Sequence, residues 1–208
     1  MAVPGYLLVL GHSLDMAKMA VYSAALPPIY KKFGGFYLGI GGPGRGAELL
    51  EGGWFDHSVV LARFPSKADA TKFWTSPEYT QAKELRKGAG SFNVFAMAGN
   101  AHESPLGQPA FLIHVYRPFD EAIVAELNAQ EDATLASGDA HIIAQAKFIE
   151  TDRLEGDLRD FDFRVAAFAT PGAATAYWNH PRTRELREAR AKVSGGNTFL
   201  VAGLARKA

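Results

Sequence analysis

The stretch Leu50–Gly99, LEGGWFDHSVVLARFPSKADATKFWTSPEYTQAKELRKGAGSFNVFAMAG, decides the fold. A diverged copy returns as Leu154–Gly203, LEGDLRDFDFRVAAFATPGAATAYWNHPRTRELREARAKVSGGNTFLVAG, at a constant offset of 104 and without a gap. Sixteen positions match, among them Leu50, Glu51, Gly52, Asp56, Phe64, Trp74, Pro77, Arg86, Asn93 and Gly99 with Leu154, Glu155, Gly156, Asp160, Phe168, Trp178, Pro181, Arg190, Asn197 and Gly203. Average composition gives roughly three such matches over this length. A period of about half the chain means two units of similar build.

Working outward, Gly5–His12 reads as a strand that runs, through the polar Ser13 and Asp15, into a capped helix reaching about Phe33. Pro27 and Pro28 are expected to kink or split that helix, and Gly34 and Gly35 to end it. Phe36–Ile40 is a second strand, residues 41–46 a flexible loop that could act as a lid, and His57–Phe64 a third strand. Ser66 with Asp69 opens a second helix that Pro77 interrupts, and Asn93–Ala98 is a fourth strand. After a polar linker at residues 100–108 the order repeats: Ala110–Val115, a helix over 119–137 ended by Gly138 as the counterpart of Gly34, then His141–Ala146, Phe161–Phe168, a helix opened by Thr170 and Pro171, and Asn197–Ala202. The reading is α+β: two tandem ferredoxin-like βαββαβ units, residues 1–102 and 108–208, whose open sheet faces pack together as a fused barrel. The linker supplies an effective concentration of roughly millimolar or above for that docking.

Bulk composition narrows the partners. Twenty-two basic residues balance twenty-two acidic ones and no basic block is interleaved with aromatics, so nucleic acid is not an expected partner. Met1, Ala2, Val3 and Pro4 lack the charged start of a leader, and the apolar run Tyr6–Leu10 is far shorter than the roughly 20 residues of a membrane-spanning helix. A soluble protein without membrane contact, and a cytoplasmic address, are the expectations. No cysteine is present, which removes disulfides, thiolate metal sites and a cysteine nucleophile.

Tyr22, the Gly34–Gly35 pair, Leu50-Glu51-Gly52, Phe64-Pro65, Trp74, Ser76-Pro77-Glu78-Tyr79, Arg86 and Gly99 together resemble the pattern of the domain-of-unknown-function 1330 family. The resemblance covers most of the first unit and extends to the second only through the repeat, where Arg182 and Thr183 replace Glu78 and Tyr79. It implies membership of the dimeric α+β barrel superfamily. That superfamily includes cofactor-free monooxygenases, lactone isomerases, polyketide cyclases and haem enzymes, and the fold does not choose among them.

Strand alternation supplies the candidate site. In the first strands Leu7, Val9, Gly11 and Phe111, Ile113, Val115 are uniformly apolar or small and are expected beneath the helices. Tyr6, Leu8, Leu10, His12 and Ala110, Leu112, His114, Tyr116 then face the barrel interior. In the second strands Phe36, Leu38, Ile40 and Ala140, Ile142, Ala144 are expected under the helices, leaving Tyr37 and His141 inward. Imidazole is suited to proton transfer near neutral pH, and a phenol can orient a substrate oxygen. His114, His12 and Tyr116 are therefore the expected catalytic groups; Tyr6, Tyr37, His141, Glu51, Trp54 and His57 are the expected substrate contacts. Each also has a structural reading, a buried polar group satisfied by its neighbours, and for Glu51 with Gly52 a turn that needs a left-handed backbone. On the third strands, His57 and Arg63 lie on one face and Asp162 and Arg164 on the opposite one, and which face lines the barrel stays open.

Gly39, Gly41 and Gly44 mimic a dinucleotide fingerprint, but Pro43 intervenes and no helical pattern follows. The six histidines show no close ligand spacing, so neither a metal nor another cofactor is expected. The functional expectation is a cofactor-independent enzyme of isomerase, lyase or cyclase type, acting on a small aromatic or carbonyl-bearing molecule inside the barrel. A non-catalytic binding or scaffold protein, a cofactor-free monooxygenase, and a homo-oligomer of the fused unit are the alternatives.

Overall fold

A computed structural model of the chain describes residues 3–100 and 102–205. Met1 and Ala2, and the outer ends of the two expected units, fall outside the described residues. The first half runs β1 (Gly5–His12), α1 (Met16–Lys32), β2 (Phe36–Pro43), β3 (Gly46–Glu51), β4 (His57–Phe64), α2 (Lys67–Thr75), α3 (Pro77–Glu84) and β5 (Ser91–Ala98). The second runs β6 (Ala110–Pro118), α4 (Glu121–Ser137), β7 (His141–Ala146), a 3₁₀ turn (Phe148–Glu150), β8 (Asp152–Glu155), β9 (Asp162–Phe168), α5 (Pro171–Asn179), α6 (Pro181–Arg190) and β10 (Ser194–Ala202).

Local chemistry accounts for most boundaries. Asp15 caps α1 by accepting from the N–H groups of Ala17 and Lys18, and Asp120, Ser66 and Thr170 cap α4, α2 and α5 in the same way. Ser76 ends α2 and caps α3, with Pro77 at its first position, so the expected break is there. Pro27 and Pro28 do not split α1, which runs through both. Both prolines are exposed, and so are Ser23 and Ala24, the residues four positions earlier whose carbonyls lose an amide partner and face water instead.

All ten strands form one curled sheet in the order β7-β9-β6-β10-β3-β2-β4-β1-β5-β8. Its concave face closes on a single apolar core drawn from both halves, including Tyr6, Leu8, Leu10, Leu38, Phe95, Phe111, Ile113, Val115, Phe163 and Phe199. The helices cover the convex face. Gly99 bridges to Ala144, and the Asn100 N–H donates to the Ile143 carbonyl, drawing the end of β5 onto β7. No helix among the described residues is long and apolar enough to cross a membrane.

Two strands were not anticipated. The expected loop at residues 41–46 is instead a tight turn held by reciprocal Gly42–Arg45 backbone bonds, leading into β3, which pairs with β10 of the other half. Reciprocally, β8 pairs with β5. Each exchanged strand ends at a repeated Glu-Gly. Gly52 and Gly156 have φ of 102° and 86°, and a Cβ on either would lie 2.1 and 2.2 Å from Asn197 Oδ1 and Asn93 Oδ1. Asn197 Oδ1 accepts from the N–H groups of Gly53 and Trp54, and Asn93 Oδ1 from that of Leu158. Arg86 meets Glu155 in a bidentate pair, Nη1–Oε1 2.9 Å and Nη2–Oε2 2.7 Å, while Arg187 meets Glu51 at 3.0 Å. Much of what the copies share is thus the clasp between the halves.

The faces of the first strands correct the expectation. Gly5 pairs with Phe64 and Ala110 with Phe168, so residues on β1 and β6 correspond at an offset of 105, while those on β4 and β9 keep 104. The helix caps Asp15 and Asp120 agree, and Asp139, with φ of 56°, stands at the left-handed position of Gly34, displacing Gly138 from that role. A one-residue change of register moves every side chain to the opposite face. Phe111, Ile113 and Val115 therefore fill the core, and Ala110, Leu112, His114 and Tyr116 lie under the helices. In β2 the assignment also reverses: Leu38 enters the core and Tyr37 packs beneath α1, with a bulge between Tyr37 and Gly39. A bulge between Ile142 and Ala144 puts Ile143 and Ala144 inside as well.

Candidate functional site

The concave interior expected to hold a substrate is packed with side chains instead, and Tyr6 is fully buried within it. The space lies on the other face. A cavity of about 440 Å³ opens between α1 and the convex side of β1, β2 and β4. Val9, Gly11, Leu26, Val60, Trp74 and Phe92 give it an apolar wall; Tyr22, Tyr30, Tyr37 and Arg86 supply polar groups; Met16, Ser23, Ile40 and Arg45, all exposed, edge its open side. Tyr22, Leu26 and Tyr30 recur at i, i+4 and i+8 along α1, which is the one sequence signal that could have found this wall.

The polar groups are tightly organised. Tyr22 and Tyr79 hydroxyls lie 2.7 Å apart, and the Tyr30 and Tyr37 rings 4.4 Å apart. Burial pushes the phenol pKa values of Tyr22, Tyr30, Tyr37 and Tyr79 up, so all four stay protonated donors at neutral pH. Arg86 is 5 % exposed and lies 3.8 Å over the Phe92 ring. Burial opposes its charge, but the bidentate bond to Glu155 and the neighbouring Tyr79 and Tyr22 together outweigh that and raise its pKa. No carboxylate or imidazole lines the cavity.

The equivalent space in the second half is charged rather than apolar, and its inner part is filled. By strand register and helix cap, Val9 corresponds to His114, Gly11 to Tyr116, Ser23 to Asn128, Leu26 to Glu131 and Val60 to Arg164. Arg164, 2 % exposed, donates from Nε to Glu131 Oε2 at 3.0 Å and also pairs with Asp132 and Gln145. Arg190 donates to the same Glu131 oxygen at 3.0 Å and to Asn128 Oδ1 at 2.9 Å. A cleft of about 30 Å³ remains beside these ion pairs, and outside it a polar groove of about 360 Å³ between α4 and β6, β7 and β9, edged by Glu121, Asp132, Gln145, Lys147 and Asp162. His114 lies at the edge of the cleft, its pKa pushed down to about 3 by burial and by Arg190 and Arg164, so it stays neutral at physiological pH and holds no proton to donate. Tyr116 accepts from Asn128 Nδ2 at 3.4 Å, and its ring is 4.9 Å from that of His114.

The other expected residues separate to the two ends of the curled sheet. At one end His12 and His57 face each other across β1 and β4, rings 4.8 Å apart, with Trp54 stacked on His57 at 4.7 Å. Asp56, which the sequence reading did not single out, reaches both: Oδ2 is 2.9 Å from His12 Nε2 and Oδ1 3.5 Å from His57 Nδ1. Burial, then His12, lowers the pKa of His57. At the far end His141 stacks with His102 at 4.6 Å, its Nε2 3.3 Å from the Glu103 carbonyl, beside the Arg63–Glu103 pair. Glu51, its pKa raised by burial against the pull of Arg187, belongs to the clasp. The face left open on the third strands is thereby settled: His57 and Arg63 sit on the concave side at opposite ends, and Arg164 lies under α4.

Comparison with known proteins follows this geometry. Residues 4–100 match the family described as Domain of unknown function (DUF1330). That match spans nearly all of the first half of the chain and none of the second. Among solved structures, this chain is similar to a candidate monooxygenase from Lactobacillus acidophilus NCFM, at 10 % identity and a TM-score of 0.57, covering 96 % of this chain and 94 % of that one. An anthrone oxidase-like protein aligns at 14 % identity and 0.54, covering 99 % and 97 %. Chlorite dismutase from Candidatus Nitrospira defluvii, solved in complex with imidazole, aligns at 9 % and 0.53, covering 96 % and 91 %. At these identities the likeness concerns the α+β barrel fold alone. No curated protein matches the chain.

Proposed function

We propose that this chain binds a small, flat, aromatic or carbonyl-bearing molecule in the cavity beneath α1. The observation that carries this reading is the cavity itself: about 440 Å³, apolar on most of its wall, with convergent phenols and one buried guanidinium. Tyr22 and Arg86 in the wall, with Tyr79 bonded behind Tyr22, offer neutral and charged donors to an oxygen of the ligand. That equipment suits polarising a ligand carbonyl without a cofactor, as in isomerase or cyclase chemistry, with the proton exchanged within the substrate or with water. Plain binding is the second reading, favoured by the lack of a carboxylate or imidazole in the wall. In both, the chain is two tandem ferredoxin-like units, of which the first carries the site; the repeated element order supports that division.

The test is a thermal-shift and calorimetric screen of phenols, aromatic acids and quinones against the wild type and Ser23→Trp. Ser23 is exposed at the mouth, so the indole covers the cavity without disturbing the core. A ligand at 100 times its Kd adds about 2.7 kcal/mol to wild-type stability. A hit that binds Ser23→Trp equally well would place the ligand elsewhere and end this reading.

A further inference from the structure

We propose that His12, Asp56 and His57 form a binding site for a divalent transition-metal cation at one end of the curled sheet. The observation is a two-imidazole, one-carboxylate cluster built from the end of β1 and the residues that open β4. The ligand atoms of the three side chains all lie within 4.8 Å of one another. Tetrahedral zinc, with bonds of about 2.0–2.2 Å, spaces its donors roughly 3.4 Å apart. The carboxylate contacts, 2.9 Å to His12 Nε2 and 3.5 Å to His57 Nδ1, bracket that spacing. His57 is held by the stacked indole of Trp54 and is 14 % exposed, whereas His12 and Asp56 are 42 % and 59 % exposed, leaving a side open for water or a ligand. Imidazole and carboxylate donors suit zinc, iron(II), nickel and copper rather than magnesium or calcium.

An independent argument comes from the other half. Asp56 recurs as Asp160, while the position of His12 holds Arg117 and that of His57 holds Phe161. Arg117 Nη2 lies 3.9 Å from Asp160 Oδ2 and its guanidinium 5.0 Å over the Phe161 ring. The second half thus places a permanent cation beside the repeated carboxylate. The first half keeps the carboxylate and replaces the built-in cation with two neutral-capable nitrogen ligands, the exchange that a bound metal ion requires. His102 and His141, also stacked, share no carboxylate of this kind and serve as the control pair.

The experiment is titration of the whole chain with Zn²⁺ by calorimetry, repeated with Co²⁺ while the visible absorption of coordinated cobalt is followed. One equivalent is expected to bind, with a Co²⁺ band. His12→Ala and Asp56→Asn, both at exposed positions, should each weaken it at least about tenfold. His102→Ala and His141→Ala should leave it unchanged. His12→Arg, which copies the second half, should abolish Zn²⁺ binding and the Co²⁺ band while folding normally by circular dichroism. The absence of saturable one-to-one binding would overturn the proposal, as would a wild-type affinity in His12→Ala, Asp56→Asn or His12→Arg.

Discussion

The space beneath α1 and the space beneath α4 are the same place in two halves of one chain, yet one is an apolar cavity and the other a polar groove over a buried ion network. Under α1 the positions read Val9, Gly11, Ser23, Leu26 and Val60; under α4 they read His114, Tyr116, Asn128, Glu131 and Arg164. Larger side chains in the second set fill the inner part of the space, where the two buried guanidiniums of Arg164 and Arg190 converge on one carboxylate, Glu131, and line the groove left outside it with polar groups. Such a network adds little net stability over an apolar filling, because desolvating the ions offsets their attraction. It does fix geometry. The comparison teaches that one niche, repeated in both halves, is kept apolar in the first and turned polar over an ion network in the second.

The sharpest way to break this contrast is Glu131→Leu, which copies Leu26. Alone, it leaves two buried arginines without their shared partner and should cost about 3–5 kcal/mol in urea unfolding. If the cost is under about 1 kcal/mol, the network is not what rigidifies the second half. Next comes the clasp. Arg86→Met removes a bidentate pair from a guanidinium that is 5 % exposed and strips one polar wall from the cavity, so a loss of about 2–3 kcal/mol is expected. On the other side of the clasp, Arg187→Met acts on a pair that is 22 % and 42 % exposed at its two ends and should cost about 0.5–1 kcal/mol. Equal losses would mean that the two sides of the clasp are not as different as their burial indicates.

A third, smaller effect depends on pH. His114 has a folded pKa near 3, below its unfolded value of about 6.5, so below pH 6.5 the unfolded chain binds the extra proton and stability falls as the pH falls. The slope from this residue is at most about 1.4 kcal/mol per pH unit between 6.5 and 3. His114→Val, which copies Val9, should flatten the stability profile over that window in chemical denaturation. A profile of unchanged slope would show that the imidazole is not buried neutral.

Much of the fold was legible. The repeat gave two halves, and both ends of the strands Gly5–His12, His57–Phe64 and His141–Ala146 follow from local pattern. The strands β3 and β8 were not legible because each is short and takes its antiparallel partner from the other half. Their reason for existing is non-local. The site was less legible still. His12, His57 and Trp54 do come together, but Tyr37, His114 and Tyr116 lie on the opposite face from the one expected, because the constant offset of 104 does not extend into the first strands.

By itself the sequence determined the duplication, the α+β class and the identity of the shared residues, since these rest on matches, hydrophobic period and capping chemistry along the chain. Only the tertiary structure decided which face of each strand is concave, since a one-residue shift inverts every side chain and nothing local records it. It also decided where the cavity is. A hole is the difference between what neighbouring elements could fill and what their side chains do fill, and that difference appears only once Val9, Gly11, Leu26 and Val60 stand around the same space.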